Sequence, residues 1–264
     1  MKELYKIKEV DVRRVLGKSR LADYVINPYI GCLHGCIYCY AEYLTRKIYG
    51  VREEWGRYLY VKKNLTKVLE RDIEKTKRGR VILSSLTDPF QERYPIDLGE
   101  VVEILLKNGF KVTILTKSAM IRDVYDVLSL NSGNEVGTTI VTLNEAWKKI
   151  EPGAIDPYLR LKTLGDAPSN VDTFLMIGPI IPYINTHEDF VRLLKMAKEM
   201  RVERIYLDKL RSKPGLLSKM MKFYREIGIE IRRNPFQDTD YFQRVKRDIL
   251  RLATEMKLEV HALF

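Results

Sequence analysis

Short runs rich in β-branched residues alternate with longer amphipathic stretches along most of this chain, and that alternation constrains the fold more than any other feature. The runs are Tyr24 to Asn27, Arg80 to Leu86, Lys111 to Thr116, Val136 to Thr142, Asp172 to Ile177 and Arg204 to Leu207. Helical patterns lie between them, at Ala41 to Ile48, Leu65 to Thr76, Leu98 to Asn108, Ile121 to Leu130 and Tyr158 to Leu164. Another is carried by Phe190, Leu193, Leu194 and Ala197 at helical spacing, with Thr186 placed to cap it. Strands that each lead into a helix predict parallel pairing through right-handed crossovers, hence an α/β fold: an open or partial (β/α)6 TIM-like barrel. There is no linker, low-complexity tract or solenoid repeat to divide the chain. The expected organisation is a core over residues 1–210, with a basic extension over 1–22, followed by an α-rich C-terminal extension over 211–264.

Barrels of this kind build their sites at the C-terminal ends of the strands. Polar residues gather where the predicted strands stop: Ser84, Ser85, Thr87 and Asp88 after the second, and Thr116, Lys117 and Ser118 after the third. Thr139, Thr142 and Asn144 mark the end of the fourth, and Gly178 and Pro179 follow the fifth. Loop residues are polar for ordinary reasons as well, so this pattern supports the barrel without proving a site.

At 264 residues, 45% hydrophobic and 31% charged, the chain can bury a substantial core and is too polar for a membrane protein. Met1 to Gly17 is charged and has no apolar signal core, which places the protein in the cytoplasm as an expectation. The net charge of +11 is concentrated at the two ends, flanking a slightly acidic middle. Basic ends predict an anionic partner such as nucleic acid, with a solvated, salt-bridged surface as the ordinary alternative. Nine of the 16 tyrosines fall in the first 60 residues among Arg13, Arg14, Lys18, Arg20, Arg46, Lys47, Arg52 and Arg57, a mixture suited to stacking and phosphate attraction.

All three cysteines lie within eight residues: Asn27-Pro28-Tyr29-Ile30-Gly31-Cys32-Leu33-His34-Gly35-Cys36-Ile37-Tyr38-Cys39-Tyr40. An odd, clustered set argues against paired disulfides and for metal or redox chemistry. Gly31 and Gly35 let the backbone wrap closely around a bulky group. A closed zinc site or a fully ligated iron-sulfur cluster takes four protein ligands, and the chain has no fourth cysteine. A zinc site completed by His34 and a redox pair of Cys36 with Cys39 stand as alternatives.

Cys32-x3-Cys36-x2-Cys39, with an aromatic before the last cysteine, is similar to the signature of the radical S-adenosylmethionine superfamily. Asn27-Pro28-Tyr29, Thr87-Asp88-Pro89-Phe90-Gln91, Thr116-Lys117-Ser118 and Thr139-Ile140-Val141-Thr142-Leu143 resemble its spore photoproduct lyase, or DNA repair photolyase, branch. The resemblance runs from about Asn27 to Asn185. It implies a 4Fe-4S cluster on Cys32, Cys36 and Cys39 with one iron open to S-adenosyl-L-methionine, and an electron donor to that cluster. Cleavage of the sulfonium would then give methionine and a 5'-deoxyadenosyl radical that takes a hydrogen atom from substrate.

The resemblance also implies cofactor contacts. Tyr38 and Tyr40 would meet the adenine; Ser84 or Ser85 would bond the amino group, with Asp88 as its anionic partner. Lys117 would hold the methionine carboxylate, Thr139 would reach the ribose or sulfonium, and Gly178 with Pro179 would cover the adenine. Each has a plainer role available: loop packing for the tyrosines, a turn or cap for Asp88, a solvated lysine at 117, strand packing for Thr139 and strand termination for Gly178-Pro179. One departure bears on substrate. The lyase uses an additional cysteine to return a hydrogen atom, and all three cysteines here are committed. DNA repair is therefore one expectation beside radical modification of RNA or a peptide, and beside a non-catalytic, metal-stabilised nucleic-acid-binding module.

Overall fold

The computed structural model describes residues 5–264. Met1 to Leu4, the start of the expected basic extension, lie outside the described residues. Six parallel strands form the central sheet: β3 (Tyr24–Ile26), β6 (Arg80–Leu83), β7 (Lys111–Thr116), β8 (Glu135–Ile140), β9 (Asp172–Ile180) and β10 (Arg204–Lys209). They pair in sequence order, as successive right-handed crossovers require. A short strand β2 (Gly17–Lys18) adds antiparallel to β3 at one edge, and β11 (Glu259–Ala262) adds parallel to β10 at the other. This mixed α/β sheet is the partial barrel that the strand–helix alternation predicts.

The helices cover its outer face. They are α1 (Tyr40–Tyr49), α2 (Leu65–Glu74), α3 (Leu98–Lys107), α4 (Tyr125–Ser129), α5 (Trp147–Ile150), α6 (Pro157–Gly165), α7 (His187–Glu199), α8 (Leu216–Glu226) and α9 (Thr239–Met256). Phe190, Leu193, Leu194 and Ala197 form the buried stripe of α7. Thr186 caps that helix in a reciprocal capping box with Asp189. Asp97, Asp156 and Asp238 cap α3, α6 and α9 in the same chemical way, each accepting from backbone N–H groups of the first turn.

Among the boundaries that differ from the sequence expectation, four have a clear local reason. β6 stops at Leu83 rather than Leu86 because the N–H groups of Ser85 and Leu86 both donate to Asn27 Oδ1 at 2.8 Å, away from a neighbouring strand. β8 stops at Ile140, since Val141 O accepts from Asn185 Nδ2 and Thr142 begins a side-chain turn onto Asn144. β9 runs on to Ile180, so Gly178 and Pro179 lie within the strand instead of following it. The helix expected over Ile121 to Leu130 is a 3₁₀ turn, Ala119–Val124, capped by Ser118 and followed by the single-turn α4.

A second, three-stranded sheet was not foreseen. β1 (Lys6–Val10), β5 (Tyr58–Lys62) and β4 (Tyr29–Ile30) lie in the order β1-β5-β4. β4 leads straight into the cysteine loop, so this sheet anchors the loop's first residue. Residues 211–264 supply α8, α9 and β11, and their buried side chains join the main hydrophobic core. Among the described residues no helix is long and apolar enough to cross a membrane.

Candidate active site

The cysteine loop lies between β4 and α1. Gly31 has φ +94°, and a Cβ there would fall 2.6 Å from the Tyr58 ring and carbonyl, so only glycine lets β4 turn into the loop beside β5. Gly35 sits at φ +60° with its backbone pressed on that of Gly56, whose own Cβ would fall 2.8 Å from Gly35 Cα. Thr87 donates to Gly31 O at 2.6 Å, and Leu33 N donates to Gln91 Oε1 at 3.0 Å. The loop after β6 thus fixes the cysteine loop from its other side.

Cys32, Cys36 and Cys39 are all free thiols, the first two buried and the third half-buried. Burial raises all three above the ordinary thiol value, Cys39 to about 11 and Cys36 strongly, and the neighbouring thiols add to this at Cys36. Such groups become thiolates on binding a metal, which deprotonates a thiol outright. Among the described residues no three His, Cys, Asp or Glu side chains are gathered tightly enough for a single ion. His34, the fourth ligand in the zinc alternative, is 3% exposed with Nδ1 3.5 Å from Asp88. Three free, neighbouring thiols in one loop fit a cluster that spreads its ligands over separate irons better than they fit one zinc ion. Gln91 Nε2 lies 3.4 Å from Cys32 Sγ, a contact of the kind that tunes a metal-bound sulfur.

A buried ionic group stands beside the loop. Glu151, 1% exposed, accepts from the Tyr38 hydroxyl on Oε1 and from Arg160 Nη1 on Oε2 at 2.6 Å, while Lys117 Nζ is 3.9 Å from Oε1. Burial pushes the Glu151 carboxyl up, but Arg160, Lys117 and Tyr38 together hold it below its ordinary value, so it is ionised. Lys117 and Arg160 face Glu151, and Asp88 also acts on Lys117, so two cations meet two carboxylates. Lys117 also acts on Cys36 in the cysteine loop, and its ammonium can serve an anionic ligand.

The candidate residues divide by what already occupies them. Ser84 is buried at the end of β6 and its Oγ has no partner; Arg160 Nη2 and His34 Nε2 are likewise buried and unpartnered. Buried polar atoms without partners are rare, and Ser84 is placed as a ligand contact would be. Lys117 follows β7, Thr139 is 7% exposed near the end of β8, and Gly178 and Pro179 lie near the end of β9, so all stand at one end of the sheet. Tyr40 is 41% exposed and donates to Ser85 O at 2.6 Å, bridging α1 to the end of β6. Tyr38 points instead to Glu151. Asp88 is fully engaged: Oδ1 accepts from Thr116 Oγ1 at 2.6 Å and Phe90 N at 3.0 Å, and Oδ2 from Lys117 N at 2.8 Å. It orders the loops around Lys117. Glu151 and Arg160 were absent from the sequence candidates, and Gln91 stood there only as the last residue of the Thr87-Asp88-Pro89-Phe90-Gln91 motif; for Arg160 the signal available was an arginine on the apolar face of α6, between Pro157 and Leu161.

Comparison with known proteins agrees with this geometry. Residues 26–208 match the Radical SAM superfamily, a span that runs from the last residue of β3 through the cysteine loop and β6, β7, β8 and β9 to the penultimate residue of β10. The "Uncharacterized protein MJ0683" of Methanocaldococcus jannaschii is 33% identical over 189 residues, 68% of each chain. The "Uncharacterized protein ORF301" of Acidianus two-tailed virus is 25% identical over 238 residues, 82% of this chain and 79% of that one. In three dimensions the fold is similar to that of a spore photoproduct lyase variant with bound AdoMet and dinucleoside spore photoproduct, with TM-score 0.74 and 14% identity over 98% of this chain and 82% of the lyase. It is also similar to Streptococcus suis SuiB bound to S-adenosylmethionine, with TM-score 0.57 and 13% identity over 99% of this chain and 51% of SuiB. The match of the family over most of the chain, on a sheet that brings the cysteine loop and Lys117 to one end, makes this protein a member of the radical SAM superfamily and a radical SAM enzyme.

Proposed function

We propose that Cys32, Cys36 and Cys39 hold a 4Fe-4S cluster, that S-adenosyl-L-methionine binds it at the sheet's C-terminal end, and that the substrate is a nucleic acid. The observation that carries the proposal is the loop itself: three free thiols, walled by glycine turns, beside an ionic group of Glu151, Arg160 and the half-buried Lys117. When bound, the cluster supplies the electron that splits the sulfonium into methionine and a 5'-deoxyadenosyl radical. The chain's part is to bind and orient. Lys117 supplies a cation for the methionine carboxylate, Ser84 Oγ a hydrogen-bonding partner for its amino group, and Thr139, Gly178 and Pro179 a wall for the nucleoside. The closely packed loops hold water away from the radical.

The nucleic-acid part is supported by the basic ends of the sequence and by the photoproduct bound to the lyase of similar fold. All three cysteines of the sequence lie in the loop, so either a tyrosine or 5'-deoxyadenosine returns a hydrogen atom to a product radical, or the substrate is one that needs no such step.

Anaerobic reconstitution with iron and sulfide tests the cofactor reading. The expected protein is brown and forms 5'-deoxyadenosine from S-adenosylmethionine under dithionite, and Cys36→Ala abolishes both properties. A colourless zinc protein that binds oligonucleotides overturns it in favour of a binding module. Salt-dependent binding of DNA, RNA and a peptide, measured side by side, ranks the substrates.

A further inference from the structure

A cavity of about 460 Å³ lies on the far side of the cysteine loop, and none of the strand-end candidates lines it. Its floor is the loop's own backbone. Leu33, Gly35 and Ile37 face the cavity, and they alternate with Cys32, His34 and Cys36. Gly35 and Gly56, which both line it, meet backbone to backbone with no side chain between them. Trp55 also lines the cavity and packs in the same apolar cluster as Cys32 and Cys39. An occupant of this groove therefore sits one backbone layer, or one indole ring, from the cluster's ligands.

The rim is mostly cationic. Arg57, Lys149, Lys219 and Lys222 outnumber Glu54 and Glu226. Lys219 is paired with Glu42, but the Lys222 side chain is 74% exposed and stands 3.8 Å from Glu226. Arg57 and Lys149 are exposed as well.

We propose that this groove is the docking surface of the protein's electron donor, a small acidic electron carrier with a flavin or iron-sulfur centre. The inference rests on the cluster reading above. One electron leaves the carrier, which is oxidised by one equivalent, and enters the cluster, which is reduced by one. A basic rim attracts an acidic carrier and speeds its encounter in a salt-dependent way. Nucleic acid is the other anion that fits a basic groove. It is disfavoured because a substrate here would lie behind the loop, away from the end of the sheet where the radical would form.

The test uses the reconstituted holoenzyme with reduced flavodoxin or reduced ferredoxin as the carrier and dithionite as a small reductant that needs no docking surface. Cluster reduction is followed by loss of visible absorbance, and carrier binding by titration. The double variant Lys149→Glu/Lys222→Glu is expected to slow reduction by the carrier about tenfold or more at low ionic strength and to weaken binding in parallel. Reduction by dithionite, and the 5'-deoxyadenosine it yields, should stay at the wild-type level. Wild-type reduction by the carrier should fall steeply with salt, an arm that needs no variant. Carrier rates unchanged in the double variant overturn the proposal, as does a wild type that neither carrier reduces while dithionite does. Loss of oligonucleotide binding with carrier rates intact reassigns the groove to nucleic acid. Absence of 5'-deoxyadenosine with dithionite in the wild type fails the cluster reading instead.

Discussion

Glu151 is the residue on which the loop's electrostatics turn. Its carboxylate is shared by Tyr38, Arg160 and Lys117, and Arg160 also donates to Ile155 O at 2.8 Å and Thr139 O at 3.1 Å. Glu151→Gln keeps the shape and removes the charge, leaving the buried Arg160 guanidinium without its carboxylate partner and the half-buried Lys117 with Asp88 alone. Breaking a buried pair in this way costs about 3–5 kcal/mol, because the abandoned charge keeps its desolvation penalty. The expected outcome is a lower denaturant midpoint with an unchanged slope; a midpoint within error of wild type would show that the pair is not formed. Replacing both Glu151 and Arg160 by apolar residues of similar volume should recover much of the loss. The same residues show what sequence can reveal about a site. Cys32, Cys36 and Cys39 were legible because their chemistry lies within eight consecutive positions. Glu151 reaches Tyr38 across 113 residues, and Gln91 reaches Cys32 across 59, distances over which spacing carries no signal.

The elements were legible where their pattern repeats. Each central strand lies in a two-sided apolar setting, so Val, Ile and Leu runs mark it, and the amphipathic stripes of α2, α3 and α7 mark the covering helices. The small sheet was not legible, since β4 has two residues and β1 is largely exposed, leaving neither with a clear alternation. β5 carries a further oddity: Lys62 is 6% exposed at its end, and burial lowers its ammonium to about 8. Below that pH both the folded and unfolded chains carry the charge, and folding bears the full cost of burying it. Between about pH 8 and the unfolded lysine value near 10.4 the unfolded chain binds more protons, so stability from this group rises with pH across that window. Lys62→Met removes the cost. At neutral pH it should stabilise by on the order of 2 kcal/mol, a melting shift of a few degrees. The gap between variant and wild type should close as pH climbs through the window; a gap that stays constant would mean the gain comes from packing.

At the scale of the whole molecule, the C-terminal segment decides whether the barrel can stand alone. The sequence suggested a core ending near residue 210 with an α-rich extension packed on it. In the structure β11 pairs with β10 in parallel register from Arg204↔Glu259 to Leu207↔Ala262, and α9 packs on α7. Met220, Phe223, Tyr224, Phe242 and Ile249 are buried in the same apolar cluster as the sheet's own side chains. Removing residues 211–264 would uncover the edge of β10 and an apolar strip along α7, and an open, apolar edge strand is a template for association. A chain of residues 1–210 is therefore expected to be largely insoluble, to bind a hydrophobic dye when refolded at low concentration and to lose near-ultraviolet circular dichroism. Supplying residues 211–264 as a separate fragment should restore part of that signal if the shared core drives association. A soluble 1–210 chain that melts in one cooperative transition would show instead that the sheet closes its core without β11, and that the tail is an accessory rather than part of the barrel.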